Sequence, residues 1–347
     1  MKPIVLPSGA AWLRMNADPV RGKVLTLNVL RSLHGQLTAQ LQPQAKPESG
    51  SDTPVSPVPG AFTHTLPPFE PQYLDELEAA FAASAPSPSS SSTYAWLVHP
   101  HLWRQFRTSR PKALVLGDSG RDVFRFGHRI RFVAGSGSRQ RGESPVSPFS
   151  SAQIANPVPF FHLLNQLTHL MRHSPIPIVA PLDGLVAGAG CQLALAADHA
   201  IALADTPFQL TGPPSTYPAV AAMLHHLGVP QTLAYRMMTL GEPVTAEQLG
   251  NGSSSVVDSV PVPQHAESTD TRGAALTTRV LDVVAKLAIA RGQMQALSKW
   301  AYWTGVAMHR GDGNGDGDGY AAASWMARVV TLLEKVDEAA ARPAKEV

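Results

Sequence analysis

The chain has 347 residues, of which 44% are hydrophobic and 16% charged, with a formal net charge of +2. This length and apolar fraction suffice for a buried core of one or two domains and exclude a chain that is disordered throughout. The near-neutral balance gives no electrostatic ground for direct nucleic-acid binding, and a single cysteine, Cys191, excludes an intrachain disulfide framework or a cysteine-rich metal site.

Residues 8–40 read as strand, turn and helix, with Val29, Leu30, Leu33 and Leu37 at helical spacing. Residues 42–100 break that pattern. Proline and serine cluster at 43–59 and again at 86–92, a composition that buries too little apolar area to offset its ordering entropy. Between the clusters, YLDELEAAF (Tyr73 to Phe81) predicts a short amphipathic helix. The region is therefore expected to be a surface insertion with one docked helix. A Gly/Ser/Arg-rich segment at 135–151 predicts a second loop.

Phe160 to His173 predicts a helix with Leu163, Leu164, Leu167 and Leu170 on one side. Another is expected from Tyr217 to Leu227. Helical periodicity returns at 276–289, 293–309 and 321–341, the last with Trp325, Val329, Leu332 and Val336 aligned. No apolar run approaches the ~18 residues of a membrane span. The start of the chain lacks a secretory apolar region. Lys2 and Arg14 precede the first acid, Asp18, but a strand is expected almost at once, so no mitochondrial presequence is evident.

The richest stretch is PIPIVAPLDGLVAGAGCQLALAADHAIALADTPF, Pro175 to Phe208. It reads as strand, tight glycine-rich turn at Gly188-Ala189-Gly190, helix, strand. A helix that opens on glycines presents unpaired N–H groups and the positive end of its dipole, an arrangement suited to an oxyanion or a polarised carbonyl.

This stretch resembles the signature of the crotonase superfamily, which includes enoyl-CoA hydratases, enoyl-CoA isomerases and 3-hydroxyisobutyryl-CoA hydrolases. The matching residues are Ile176 to Gly184, then Gly188-Ala189-Gly190, with Asp198 at the family's "C-D" aspartate. Other pieces follow in order. Trp12 to Pro19 resembles the first strand and "L-N-R-P", and Leu27 to Leu37 the helix after it. Lys112 to Gly120 is similar to "v-v-l-x-G-x-G", and Phe124 to Ile130 stands at "F-C-A-G-x-D". Tyr217 to Val220 resembles "F-P-D-V", and Leu240 to Glu247 "l-t-G-x-x-[IL]-x-A-x-[ED]". Phe160-Phe161 and Tyr217-Pro218-Ala219-Val220 point toward the 3-hydroxyisobutyryl-CoA hydrolase branch.

The resemblance implies an α/β fold, a crotonase-like spiral of ββα units with a C-terminal helical region. The core would span 1–270, with the insertion at about 42–110, and the helical region 271–347. It also implies a thioester oxygen held by two backbone N–H groups, here those of Phe126 and Ala189, with Gly127, Gly188 and Gly190 lining the substrate. The family's acid and base positions fall on Gln192, Gly212 and Ala219, none ionisable. An amide exchanges no proton near neutral pH, and general acid–base help is worth roughly 10²–10⁴-fold. Arg129 replaces the aspartate of "F-C-A-G-x-D". FRFGHRIR (Phe124 to Arg131) gathers three arginines and a histidine, readable as a CoA-phosphate or acidic-partner contact or as a solvated basic turn.

Other candidates have plainer readings. His128 and His225-His226 are conceivable substitute bases, although adjacent histidines more often pack or face solvent. His199 is expected to open a strand and serve structure. Thr211 and Thr216 are able to orient a water but are weak bases. Asp312 to Tyr320 mimics the start of a calcium loop, but Ala323 stands where the closing glutamate is needed. Trp300, Trp303 and Trp325 read as core or subunit contacts.

Two readings of function stay open. The missing carboxylates favour a catalytically degenerate crotonase-fold protein, with a mitochondrial ribosomal small-subunit scaffold as one concrete form. The alternative is an active acyl-CoA thioester hydrolase or enoyl-CoA hydratase/isomerase. Neither needs a permanently bound cofactor or a metal. Coenzyme A thioester is the expected substrate or ligand. A homotrimer or a large mitochondrial assembly is the expected partner, with no membrane and nucleic acid reached only through a ribonucleoprotein. The resemblance places the chain in the mitochondrion.

Overall fold

A computed structural model describes residues 4–5, 8–15, 25, 27–42, 64–83, 93–108, 110–117, 158–210, 224, 228–250, 256–262, 269–308 and 319–341. The elements run β1 (Ile4–Val5), β2 (Ala11–Arg14), α1 (Leu27–Leu41), α2 (Tyr73–Ala82), α3 (Ala95–Val98), α4 (Pro100–Arg107), β3 (Leu114–Gly117), α5 (Val158–Arg172) and β4 (Ile178–Leu182). Then come β5 (Val186–Ala187), α6 (Ala189–Ala196), β6 (His199–Leu203), β7 (Pro207–Gln209), α7 (Gln231–Tyr235) with a wider π turn at Arg236–Leu240, and β8 (Val244–Thr245). The last are α8 (Ala246–Gly250), β9 (Asp258–Val260), α9 (Thr269–Ile289), α10 (Gly292–Met308) and α11 (Gly319–Ala341). The chain is of the α/β class, with strands and helices alternating before a helical C-terminal part, as the sequence implies.

Two compact units form. The first comprises residues 1–37, 113–172 and 178–285. Among its described residues a six-stranded sheet has the order β1-β2-β3-β4-β6-β9, and β5-β7-β8 make a smaller sheet. β1 is antiparallel to β2, and the other pairings of the large sheet are parallel. Parallel strands covered on both faces are uniformly apolar. β4, IVAPL, is accordingly buried at every position. It is aligned by Asp198: its Oδ2 accepts the Ile178 N–H at 2.8 Å, and its own N–H donates to the Ile178 carbonyl at 2.9 Å. This two-point clamp sets the β4–β6 register, Val179 opposite His199 through Leu182 opposite Ala202. His199 opens β6 and is exposed, the structural placement expected for it.

The second unit comprises residues 38–112, 173–177 and 286–347. Here the expectation of a surface insertion with one docked helix is corrected. The described part of the insertion carries α2, α3 and α4 and its own apolar core. Leu66, Leu74, Leu77, Trp96, Leu97, Trp103 and Phe106 are buried. The Trp96 and Trp103 rings stack at 6.0 Å. Aromatic side chains bury much area per residue, and they supply the core that the Pro/Ser-rich composition hides. The buried Gln293 of α10 donates to the Leu97 carbonyl at 2.8 Å, and the Trp300 indole donates to the Pro68 carbonyl at 3.1 Å. Trp300 and Trp325 are buried, as expected of core residues. His128, His225, His226, Thr211, Thr216, the basic turn at 124–131 and the calcium-like loop from Asp312 lie outside the described residues, apart from its end at 319–320.

Candidate functional site

α6 follows β5 through one residue, Gly188, whose backbone stands at φ 55, ψ −121. A Cβ makes that conformation strained, so glycine is required to turn the chain into the helix. The Gly188 N–H donates to the Gln209 carbonyl on β7 at 2.9 Å, which pins the turn to the smaller sheet. The Cys191 N–H closes on the Gly188 carbonyl at 3.0 Å. Between them, the N–H groups of Ala189 and Gly190 have no acceptor among the described residues, as the geometry of a helix start dictates. All eight residues of α6 are buried, Ala189 to 1% exposure. Buried backbone N–H groups without an acceptor are rare in folded proteins. These two stand at the positive end of a helix, where such donors are able to hold a carbonyl oxygen or anion.

One turn along α6 lies Gln192, 2% exposed. Its amide nitrogen donates to Asn165 Oδ1 at 3.0 Å and to Thr168 Oγ1 at 3.2 Å, both on α5. A side chain of this polarity is buried only when its hydrogen bonds are met. The neighbours are neutral, so the position offers hydrogen bonding without proton transfer at neutral pH. Cys191 beside it has its thiol pushed up to about 12 by burial, against a hydrogen bond to Gln209 that acts the other way. It donates to the Val186 carbonyl at 3.1 Å and is an inert core group, not a nucleophile.

After β4, Asp183 and Gly184 form a turn with Gly184 at φ 82. Arg272 of α9 makes a two-pronged ion pair with Asp205 at 2.8 and 2.9 Å. Its guanidinium is pushed up, first by that hydrogen bond, with the charge of Asp183 contributing. Among the described residues no three His, Cys, Asp or Glu side chains gather as a metal site, and no helix is long and apolar enough to cross a membrane.

Residues 156–286 match the family model described as Enoyl-CoA hydratase/isomerase. That segment, 156–286, is the part of the chain similar to the crotonase superfamily. A solved structure of an enoyl-CoA hydratase/isomerase family protein from Silicibacter pomeroyi shares the fold at TM-score 0.50 and 15% identity, covering 95% of this chain and 96% of that one. Enoyl-CoA hydratase domain-containing protein 3, mitochondrial, from Rattus norvegicus is 27% identical over 138 residues, which is 40% of this chain and 41% of that protein. The Danio rerio protein of the same name is 31% identical over 115 residues, 32% of this chain and 40% of that one. The matches thus span well under half of these relatives' length.

Within the matched segment the structure brings Gly188, Ala189, Gly190 and Gln192 together at the start of α6. Phe126, Gly127, Gly212 and Ala219 lie outside the described residues. Ala189 takes the first helical position, with its methyl group in a buried setting. Sequence reasoning did not single out Asn165 and Thr168. The one signal available was their i, i+3 spacing beside the apolar stripe Leu164 and Leu167, which sets an exposed Asn165 and a half-buried Thr168 at the edge of the face that packs.

Proposed function

We propose that this protein is a catalytically degenerate crotonase-fold protein that binds coenzyme A thioesters through the start of α6 without carrying out the proton transfers of the hydratases, isomerases and hydrolases. The observation that carries this reading is the pair of buried N–H groups at Ala189 and Gly190, without an acceptor among the described residues and set beside a neutral Gln192. The cradle polarises a thioester carbonyl, and Phe126 is the proposed source of a second donor. The sequence at Gln192, Gly212 and Ala219 supplies no acid or base. The compartment proposed is the mitochondrion, on the printed names of the two relatives.

The test pairs binding with turnover. Calorimetric titration of the full chain with butyryl-CoA is expected to give saturable binding, while crotonyl-CoA hydration and thioester hydrolysis stay near the uncatalysed rate. Ala189→Pro removes one donor at a helix position that accepts proline, and about a tenfold loss of affinity is expected. Hydration or hydrolysis at ordinary enzyme rates would end the degenerate reading. Absence of thioester binding would end the cradle reading.

A further inference from the structure

Arg104, Arg107, Arg110 and Lys112 of the second unit gather at one corner of it, and among the described residues none of them pairs with a carboxylate. Arg104 and Arg107 stand three residues apart on α4 and share a helix face. The half-buried Arg107 guanidinium donates to the carbonyls of Pro111 and Lys112 at 2.7 and 3.2 Å. It rests on Gly292, the first residue of α10, where an added Cβ would lie 3.1 Å from Nη2 and 3.3 Å from Nε. Arg104 is exposed and makes one long contact, 3.4 Å to the Ala340 carbonyl. Lys112 is exposed as well. Arg291, beside Gly292, differs in being paired with Asp337.

Carbonyl contacts satisfy these donors without cancelling their charge. Burial pulls Arg107 down to about 10, so it stays a cation at neutral pH, and its charge acts against that of Arg110. Two of the five N–H donors of Arg107 are spent on carbonyls, which leaves three. Partly desolvated cations gathered without an anion carry a cost that a bound anion removes. We propose that Arg104, Arg107 and Lys112 form a binding site for a phosphate group, with Arg110 adding to the positive potential. A phosphate monoester carries about −1.5 to −2 charge at pH 7 and three strong acceptor oxygens, whereas a carboxylate brings a single charge and fewer oxygens. Guanidinium forks bond phosphate in two-pronged fashion. Free orthophosphate and a phosphoserine side chain supply this same chemistry. The proposal is independent of the cradle reading of α6.

The experiment titrates the full chain calorimetrically at low ionic strength with sodium phosphate, with sodium acetate, and with a phosphoserine peptide and its unphosphorylated form. Saturable phosphate binding that weakens as salt rises is expected, with none for acetate or the unphosphorylated peptide. Tighter binding of the phosphoserine peptide than of orthophosphate supports the site and assigns the group to a phosphorylated chain; orthophosphate binding as tightly or more so supports it and assigns the free anion. Arg104→Gln with Lys112→Gln changes two exposed side chains, and the pair should lose about tenfold in affinity with the urea midpoint unchanged. Gly292→Ala alters no charge but displaces the Arg107 fork, and about a threefold loss is expected, a response that diffuse surface charge does not give. Arg236→Gln, which removes an equal exposed charge from the first unit, should bind as the natural chain does. The proposal is overturned by absence of saturable phosphate binding, by acetate binding as tightly as phosphate, by an unchanged affinity in the double variant or in Gly292→Ala, or by an equal loss in Arg236→Gln.

Discussion

Arg110 sits where two helices end, and replacing it should destabilise one unit of the protein selectively. Its Nε donates to the Gln40 carbonyl at 2.6 Å, and its two terminal nitrogens donate to the carbonyls of Gln42 and Phe106. Gln40 and Gln42 flank the last residue of α1, and Phe106 lies in the last turn of α4. Carbonyls at a helix C-terminus lack intrahelical donors and carry partial negative charge. The guanidinium also lies 4.1 Å from the centre of the Phe106 ring. Burial pulls it down to about 10, with the charge of Arg107 adding to the effect, so it remains a cation at neutral pH.

Arg110→Met keeps an apolar stem over the ring and strips three carbonyls of their donor. A hydrogen bond from a charged donor is worth about 1.5–3 kcal/mol. Desolvation of the ion and water reaching the partly exposed carbonyls offset much of that sum, leaving a net loss of about 3 kcal/mol. Urea unfolding of the full chain reads it. Five of the six tryptophans, Trp96, Trp103, Trp300, Trp303 and Trp325, belong to the second unit and only Trp12 to the first. Tryptophan emission therefore reports the second unit, and far-ultraviolet circular dichroism reports both. With a slope of about 2 kcal/mol per molar urea, the emission midpoint should fall by roughly 1.5 M. Arg110→Lys, which has no fork to span three carbonyls, should recover only part. A midpoint shift below about 0.3 M, or equal shifts for Met and Lys, would refute the capping role.

His64 packs against Trp96 at 4.8 Å and Phe106 at 4.9 Å, and burial pulls it down to about 4, opposed by the Leu41 carbonyl contact and aided by the Arg110 charge. The unfolded chain takes up this proton below about pH 6.5 while the folded chain does not until about 4, so stability should fall by about 1–2 kcal/mol as pH drops through that window and then level off; His64→Phe should flatten the profile. Gly35 in α1 and Gly273 in α9 have nothing within 4 Å of an added Cβ, so Gly35→Ala and Gly273→Ala should each raise the unfolding free energy by about 0.5–1 kcal/mol, measured by urea titration. Cys191, the one thiol, should resist alkylation at pH 8 until α6 opens, and Gly188→Ala should speed labelling by straining the turn that seats the helix.

The fold was legible where periodicity and turn chemistry act locally. The apolar run into Asp183-Gly184, the glycine turn at 188 and the helical stripes after 276 each declare their structure within a dozen residues. The core of the insertion was not legible, because Trp96, Trp103 and Phe106 are spread over short helices next to Pro/Ser-rich segments whose composition dominates any window. Arg110 was hidden for a related reason: its partners Gln40 and Gln42 lie 70 and 68 residues away, and they are backbone carbonyls that any residue type supplies. At the candidate site the sequence identified Gln192 as a non-ionisable residue at an acid position. It said nothing of Asn165 and Thr168, which stand 27 and 24 residues upstream.

Those two side chains change what a glutamine at 192 means. A glutamine left unattended in an apolar pocket would cost free energy and gain nothing, and an apolar replacement would serve a scaffold better. Here the amide is fully engaged on its donor side, and the engagement runs in one direction, from the Leu164 carbonyl through the Thr168 hydroxyl to the Gln192 nitrogen. A chain of hydrogen bonds with a fixed direction holds the Gln192 amide in one orientation. Asn165 and Thr168 together account for how a neutral polar side chain is held in a buried position.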